Sequence, residues 1–322
     1  MIIERPSRFA SRWRYLMLEM HALASRKETR MRLVAFDRAG TANLGVLAGE
    51  TVIDLAQAAP NLPRDLVGLI RAGIAGFSAA DRAVRAAPAA ARIPLAGLRF
   101  RPPVENAGKI ICLGLNYVDH AAEGGHAKPE YPSLFLRVHS SLVAHGEAIV
   151  RPSVSHQLDY EAELVAIVGR TVPRHTAVKD ALPYIAGYSC FNDGSVRDFQ
   201  RKTTQWTIGK NFDRTGGFGP WFVTADELPP GAAGLAIESR LNGKVMQKAN
   251  TSDMLFPVAE TVALLSACLT LEAGDLLVMG TPAGVGYARK PPVWMKAGDV
   301  IEIAIEGIGV LSNPIADEIT AR

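Results

Sequence analysis

The 322-residue sequence predicts an α+β fold made mostly of strands, with a small N-terminal domain ahead of a larger domain. After residue 110, short β-rich runs bounded by Gly, Pro or Asp dominate the chain, and helix patterns are few. Strands and helices do not alternate regularly, which disfavours a doubly wound parallel sheet.

The first 30 residues differ from the rest of the chain. They carry seven Arg or Lys against three Glu, a local charge of +4, so the remaining residues hold −1 of the total +3. Two interpretations stay open for residues 1–30. They form a basic N-terminal extension with a function, or the start codon has been assigned upstream of the true one.

Residues 31–100 are predicted to form the small N-terminal domain. It opens at Met31 with short apolar runs separated by Gly-containing turns, which is typical of a β-hairpin, and helices follow. The Ala- and Pro-rich stretch from Ala86 to Pro94 indicates the linker that leads out of this domain. The larger domain is predicted over residues 105–322.

Turn chemistry marks the strands of the larger domain. The Asn242-Gly243 dipeptide between two β-rich runs is a strong hairpin signal, and Glu306-Gly307 predicts another hairpin. One helix is predicted to begin with Pro257 in its first turn. The β-rich runs are Ile110–Leu113, Glu163–Val168, Leu276–Met279 and Val300–Ile305.

Composition and charge exclude several classes of partner. A total charge of +3 leaves no basic surface for a nucleic acid backbone. The longest apolar stretch, Val262 to Leu271, is far too short to span a bilayer, and no signal peptide is recognisable. Three widely spaced cysteines favour a reducing compartment, so we expect a cytoplasmic protein.

Glu161 and Glu163 stand at alternate positions of one predicted strand, so their carboxylates project to the same face. The apolar run that follows indicates that the strand is buried. Two like charges in a buried strand need a compensating cation, and the neighbouring sequence has no Lys or Arg, which favours a bound metal ion. The alternative is that both carboxylates emerge at the strand end into solvent.

Asp193 follows a β-rich run in an Asn-Asp-Gly turn, which predicts its carboxylate at a sheet edge. As a third oxygen ligand it completes a set that a hard cation prefers. Mg²⁺ is the first choice, with Mn²⁺ and Ca²⁺ as alternatives. An ordinary turn with no ligand is the other interpretation.

His120 and Glu123 are spaced to share one face of a helical turn. A carboxylate that orients an imidazole raises its basicity, so the pair is a candidate base for activating water. A surface His–Glu pair is the alternative. Two Gly-containing loops, one with Lys210 and one with Thr281, are candidates for holding substrate, although neither matches a nucleotide-binding motif.

Taken together, these segments resemble the fumarylacetoacetate hydrolase family. The resemblance covers roughly residues 105–315 and is carried by CLGLNYVDHAAE, KPEYPSLFLRVHSSL, LDYEAELVAIVGR, GYSCFNDGSVRDFQ, GKNFDRTGGFGPW, RLNGKVMQ, MGTPAGVG and KAGDVIEIAIEGIGVLSNPI. It implies a mixed β-sandwich roll as the catalytic domain, often behind a small N-terminal domain, and usually a homodimer.

The resemblance also implies roles for single residues. Metal ligands would be Glu161, Glu163 and Asp193. Catalytic residues would be His120, Glu123 and Lys210. Substrate-binding residues would be Arg197, Gln200 and Thr281, with Asp198 in the same segment.

The function that the resemblance implies is metal-dependent cleavage of a carbon–carbon bond in a 1,3-diketo or acylpyruvate-type acid, by a hydrolase of aromatic catabolism. An isomerase or decarboxylase of hydroxymuconate-type diacids, or an oxaloacetate decarboxylase, is the alternative. A non-catalytic metal-binding scaffold is a third interpretation, and His120, Glu123 and Lys210 argue against it, because a scaffold needs no general base.

Overall fold

The computed structural model describes residues 30–119 and 130–319. The candidate residues His120 and Glu123 therefore lie outside the described residues, as does the basic segment before residue 30. No helix in the described part of the chain combines the length and hydrophobicity needed to cross a bilayer.

The N-terminal part contains the predicted hairpin and helices. Its first two strands pair antiparallel across the turn at Ala39-Gly40, and the third strand continues the meander, so the hairpin prediction is confirmed. The strands are β1 (Arg32–Arg38), β2 (Thr41–Ala48), β3 (Thr51–Asp54), β4 (Arg92–Pro94) and β5 (Arg99–Phe100), and the helices are α1 (Leu55–Ala58), α2 (Leu66–Arg71) and α3 (Gly73–Arg85).

The larger part is built mainly from strands, as predicted. The first half of these strands is β6 (Ile110–Gly114), β7 (Ser133–Arg137), β8 (Leu142–Ala144), β9 (Ile149–Arg151), β10 (Leu158–Asp159), β11 (Ala162–Val168) and β12 (Ile185–Asn192). The second half is β13 (Ser195–Val196), β14 (Gly216–Thr224), β15 (Ala236–Leu241), β16 (Lys244–Asn250), β17 (Leu276–Val278), β18 (Val300–Ile305) and β19 (Gly309–Asp317). The helices are α4 (Arg197–Gln200), α5 (Thr207–Lys210) and α6 (Val258–Cys268).

A twelve-stranded mixed sheet runs through both parts. Its main path is β4-β3-β2-β1-β14-β12-β11-β17-β6-β7, with β5 on β1 and β8 on β14. Most neighbours are antiparallel, and β17–β6 and β14–β8 are parallel. Because β1 pairs with β14, the N-terminal strands extend the sheet of the larger part. The domain boundary near residue 100 stays a prediction.

A second sheet of five strands covers one face of the first, in the order β16-β15-β18-β19-β9. The largest apolar cluster lies between them and includes Leu164 of β11 and Ile303 of β18, both fully buried. Helix α6 adds Val258, Val262 and Leu265 to this cluster, as its sequence pattern predicts. Pro257 is the residue before the helix rather than in its first turn.

The two turn predictions are confirmed. The Asn242-Gly243 dipeptide joins β15 to β16, and both residues have the positive φ that such a two-residue loop requires. Glu306-Gly307 stands in the turn between β18 and β19. The mixed, mostly antiparallel sheets exclude a doubly wound parallel fold.

Candidate active site

Three carboxylates lie close together at the start of β11 and the end of β12, two neighbouring strands of the large sheet. Glu161 and Glu163 flank Ala162, the first residue of β11, and they share one face because side chains alternate along a strand. Asp193 directly follows β12, the antiparallel neighbour of β11, and its N–H donates to the Glu161 carbonyl at 3.0 Å. Ligand oxygens of Glu161, Glu163 and Asp193 lie within 4.8 Å of one another.

This carboxylate triad is buried. The exposed fractions are 4% for Glu161, 1% for Glu163 and 0% for Asp193, so the solvent-exposed alternative is excluded. The sheet-edge prediction for Asp193 is wrong, because β12 lies between β11 and β14 inside the large sheet. A Cβ on Gly194 would stand 1.9 Å from the Thr215 carbonyl oxygen, so the turn that directs Asp193 inward requires glycine there.

Positive side chains from distant segments compensate the triad. Lys210 Nζ, at the end of α5, donates to Glu161 Oε2 at 2.6 Å and to Asp193 Oδ2 at 2.5 Å. Arg137 Nη1, at the end of β7, donates to Asp193 Oδ1 at 2.5 Å. The neighbouring sequence has no Lys or Arg, but side chains distant in sequence supply positive charge to these carboxylates, so the absence of adjacent cations does not by itself require a metal ion.

Arg197 joins the triad to a fourth buried carboxylate, Asp159. Its Nη2 lies 2.6 Å from Glu161 Oε1, and its Nε donates to Asp159 Oδ2 at 2.8 Å. Its Nη1 donates to Gln200 Oε1 at 2.9 Å, one helical turn further along α4. Arg197 therefore fixes the orientation of Glu161 while Asp159 and Gln200 fix Arg197.

Glu163 differs from the other two members of the triad. In the described residues no cationic side chain forms an ion pair with it, and its Oε2 accepts only the Gly280 N–H, at 2.5 Å. Burial raises the pKa of Glu163 well above its usual range, and the Asp193 and Glu161 carboxylates raise it further. An unpaired buried carboxylate beside two others is the arrangement that a bound cation stabilises.

The Lys210 ammonium is charged in this setting. Burial by itself lowers the pKa of Lys210, but the Asp193 and Glu161 carboxylates raise it more, so that the pKa lies above its ordinary value. Its Nζ also lies 4.9 Å from the centre of the Phe135 ring. The side chain therefore provides a fixed positive charge and not a base while it contacts both carboxylates.

Thr281 follows β17 and supports the start of β11. Its hydroxyl donates to the Ala162 carbonyl at 3.0 Å and accepts from Gln247 Nε2 at 2.8 Å. To donate to a substrate carboxylate, the hydroxyl would have to turn away from Ala162.

A cavity of about 610 Å³ opens onto these groups. Of the candidate residues, its lining includes Glu161, Glu163, Arg197, Gln200, Lys210 and Thr281. Asp198 of the same segment does not line it, and its carboxylate instead accepts from the Ser155 hydroxyl at 2.6 Å. His120 and Glu123 lie outside the described residues.

Two buried residues of this site are absent from the sequence predictions. Asp159 has a signal in the sequence, since Asp159, Glu161 and Glu163 occupy three alternate positions, a spacing that in a continuous strand places side chains on one face. On β7 the apolar Leu134 and Leu136 are exposed, whereas Arg137, on the other face of the strand, is buried. Its burial could therefore be predicted only if the buried face of β7 were already known.

The donor set fits a divalent metal ion. Three carboxylates offer hard oxygen ligands, with no His or Cys among the described members of the cluster, which suits Mg²⁺, Mn²⁺ or Ca²⁺. The fold and the site define a class, that of mostly-β proteins with a buried carboxylate cluster, able to hold a divalent metal ion, at the ends of central strands.

Comparison with known proteins identifies the family within this class. Residues 109–316 match the family described as "Fumarylacetoacetate (FAA) hydrolase C-terminal", and the chain belongs to the fumarylacetoacetate hydrolase family. The prediction of this family from sequence motifs is confirmed.

Three relatives show how far the similarity extends. The mitochondrial oxaloacetate tautomerase Fahd2a of Rattus norvegicus is 37% identical over 271 residues, which cover 83% of this chain and 84% of the relative. The fumarylacetoacetate hydrolase structure from Exiguobacterium antarcticum matches with a TM-score of 0.78 and 35% identity, covering 89% of this chain and 100% of that one. Maleylpyruvate hydrolase from Sphingobium, solved with manganese(II) and pyruvate, matches with a TM-score of 0.73 and 30% identity, covering 90% of this chain and 100% of that one.

Glu161 and Glu163 have different surroundings, so replacing each with Gln should change the stability of the metal-free protein in opposite directions. Glu163→Gln keeps an acceptor for the Gly280 N–H and removes an uncompensated charge, so we expect higher stability at neutral pH. Because the pKa of Glu163 is raised in the folded state, wild type loses stability as pH rises from about 4.3, by ~1.4 kcal/mol per pH unit until the folded pKa is reached. The advantage of the variant should therefore grow over that window and then level off.

Glu161→Gln is the matched control, because it has the same change of charge but removes a carboxylate partner from both Lys210 and Arg197. We expect it to lower the free energy of unfolding by about 3–5 kcal/mol. Both variants should bind Mg²⁺ at least about tenfold more weakly than wild type. Chemical denaturation across pH and calorimetric titration measure these effects, and equal Mg²⁺ affinity in all three proteins would contradict the ligand assignment.

Proposed function

We propose that the chain catalyses a metal-dependent enolisation of a 2-oxo acid of the oxaloacetate type, interconverting its keto and enol forms. The observation that carries the proposal is that the Lys210 ammonium lines the cavity and contacts two of the three carboxylates of the triad. A cation site and a fixed positive charge side by side suit a reaction in which negative charge develops on a carbonyl oxygen. The similarity to an oxaloacetate tautomerase over most of both chains supports the choice of substrate.

Glu161, Glu163 and Asp193 would hold the metal ion, with Mg²⁺ as first choice and Mn²⁺ supported by the Sphingobium relative. When bound, such an ion polarises a carbonyl group and stabilises an enolate. Lys210 stays protonated beside them and neutralises charge on the same side of the cavity. Arg197 holds Glu161 in place, and we propose that it and Gln200 also contact the substrate.

Hydrolysis of a carbon–carbon bond in a 1,3-diketo or acylpyruvate-type acid is the second candidate. The His120–Glu123 spacing favours it, because hydrolysis needs a base that activates water. Enolisation and decarboxylation need no attacking water, and for this reason, together with the tautomerase relative, we place them ahead of hydrolysis. We also propose that the protein is a homodimer in the cytoplasm. Its partner would be a small oxo acid and not a nucleic acid. Each of these statements remains a prediction.

The proposed activity is tested by following the loss of enol absorbance of oxaloacetate with the protein and Mg²⁺. We expect conversion far faster than with Mg²⁺ alone, abolished by a chelator and restored by Mg²⁺ or Mn²⁺. The Glu163→Gln protein at the same concentration is the control for non-specific protein effects. Conversion no faster than with that variant would contradict the proposal.

The second candidate predicts a specific loss in His120→Ala. Hydrolysis of an acylpyruvate should fall by about 10²–10⁴-fold, the usual contribution of a positioned general base. Decarboxylation of oxaloacetate should fall less, because it depends mainly on an electron sink. His139→Ala, at an exposed position outside the cavity lining, is the control for loss of an imidazole. No acylpyruvate hydrolysis in wild type, or no loss in His120→Ala, would rule out a hydrolase that uses this base.

A further inference from the structure

The outer part of the cavity carries positive side chains that the proposed reaction does not use. Arg201 follows α4 and donates its N–H to the Arg197 carbonyl at 3.2 Å. The two arginines are therefore one helical turn apart on the same face, with Arg197 buried and Arg201 exposed. Arg201 also lines the cavity, and because it is exposed whereas the triad is buried, it lies nearer the protein surface.

The segment from Val285 to Pro292 also lines the cavity and contacts Arg201. Its Tyr287 ring stacks under the Arg201 guanidinium, which lies 3.3 Å from the ring centre. Stacking on an aromatic face restrains a guanidinium plane and leaves its N–H groups at the edges free to donate. Arg201 is thus held in a defined orientation while it remains accessible.

Asp159 ties this segment rigidly to the triad. Its two carboxylate oxygens accept from the Gly286 N–H at 2.8 Å and the Tyr287 N–H at 3.0 Å, and the same carboxylate accepts from Arg197. A Cβ on Gly286 would stand 1.9 Å from the Val293 carbonyl oxygen, so this close approach requires glycine. One buried carboxylate therefore sets the position of the outer segment relative to the metal ligands.

The basic residues of the outer cavity fall into two kinds. Arg289 donates to the carbonyl oxygens of Gly284 and Met246 and to the Tyr160 hydroxyl, so its guanidinium is bound within the protein. Arg201 and Lys290 form no ion pair with any described residue, and both are exposed in the cavity lining. Two positive charges are thus available in the outer cavity, and the Tyr287 ring restrains that of Arg201.

We propose that Arg201 and Lys290 bind the distal carboxylate of a dicarboxylic 2-oxo acid whose 2-oxo end lies at the triad. An accessible guanidinium on an aromatic support suits a planar carboxylate, which it can bind through two parallel hydrogen bonds. The inference rests on the proposed function in placing the 2-oxo end at the triad. It adds the residues that select diacids over monoacids.

The test compares two probes that differ only at the distal end, 2-oxoglutarate and 2-oxopentanoate, in calorimetric titrations with Mg²⁺ present. We expect wild type to bind the diacid about tenfold more tightly, equivalent to ~1.4 kcal/mol. Arg201→Gln should remove most of this preference and Lys290→Gln part of it. The affinity for 2-oxopentanoate should not change in either variant.

Lys202→Gln is the matched control, because Lys202 is the exposed neighbour of Arg201, rests on the Phe199 ring 3.5 Å from its centre and does not line the cavity. It should keep the full preference. No preference in wild type, including no binding of either probe, would overturn the proposal. So would a preference that survives in Arg201→Gln and Lys290→Gln, or one that Lys202→Gln removes equally, since the latter indicates a general positive field.

Failure of the proposed function is a separate result. If wild type does not convert enol oxaloacetate but prefers the diacid and loses that preference in Arg201→Gln, the diacid subsite stands and the reaction must be reassigned. If conversion occurs without a preference for the diacid, the reaction stands and the subsite is wrong.

Discussion

The compensation of buried charge at the ends of β11 and β12 is the constraint on which this structure depends. Among the described residues of this site, four buried carboxylates face three buried cations, which leaves one negative charge in excess. The carboxylates are Asp159, Glu161, Glu163 and Asp193, and the cations are Arg137, Arg197 and Lys210. Removing one buried ion from water costs several kcal/mol unless it is paired. Because Glu163 is the member without a cationic partner among the described residues, the excess charge lies where a divalent cation would complete the set.

The need to bring these cations together explains several features of the fold. Arg137 ends β7, the last strand on the path of the large sheet, whereas Lys210 ends the short helix α5. Asn211, the next residue, holds α5 against β7, since its side chain accepts from the Val138 N–H at 2.7 Å and donates to the Leu136 carbonyl at 2.9 Å. These hydrogen bonds fix two segments that are distant in sequence to each other beside the triad. The site is a consequence of the sheet order more than of any single motif.

Much of the fold and part of the site can be predicted from the sequence. Strand alternation places Glu161 and Glu163 on one face, and turn dipeptides such as Asn242-Gly243 mark hairpins, because both signals depend on residues adjacent in the chain. The contact of Lys210 with Asp193 and that of Arg137 with the same carboxylate depend on strand order, which local patterns do not encode. The sheet-edge expectation for Asp193 is wrong for the same reason.

Diffraction from crystals grown with Mn²⁺, recorded at the manganese absorption edge, shows whether Glu161, Glu163 and Asp193 together bind one divalent cation. Binding of one cation by all three residues predicts one strong anomalous peak within about 2.5 Å of a carboxylate oxygen from each of them. A manganese peak elsewhere in the cavity, or none at saturating Mn²⁺ with Lys210 still in contact with Glu161 and Asp193, would contradict it.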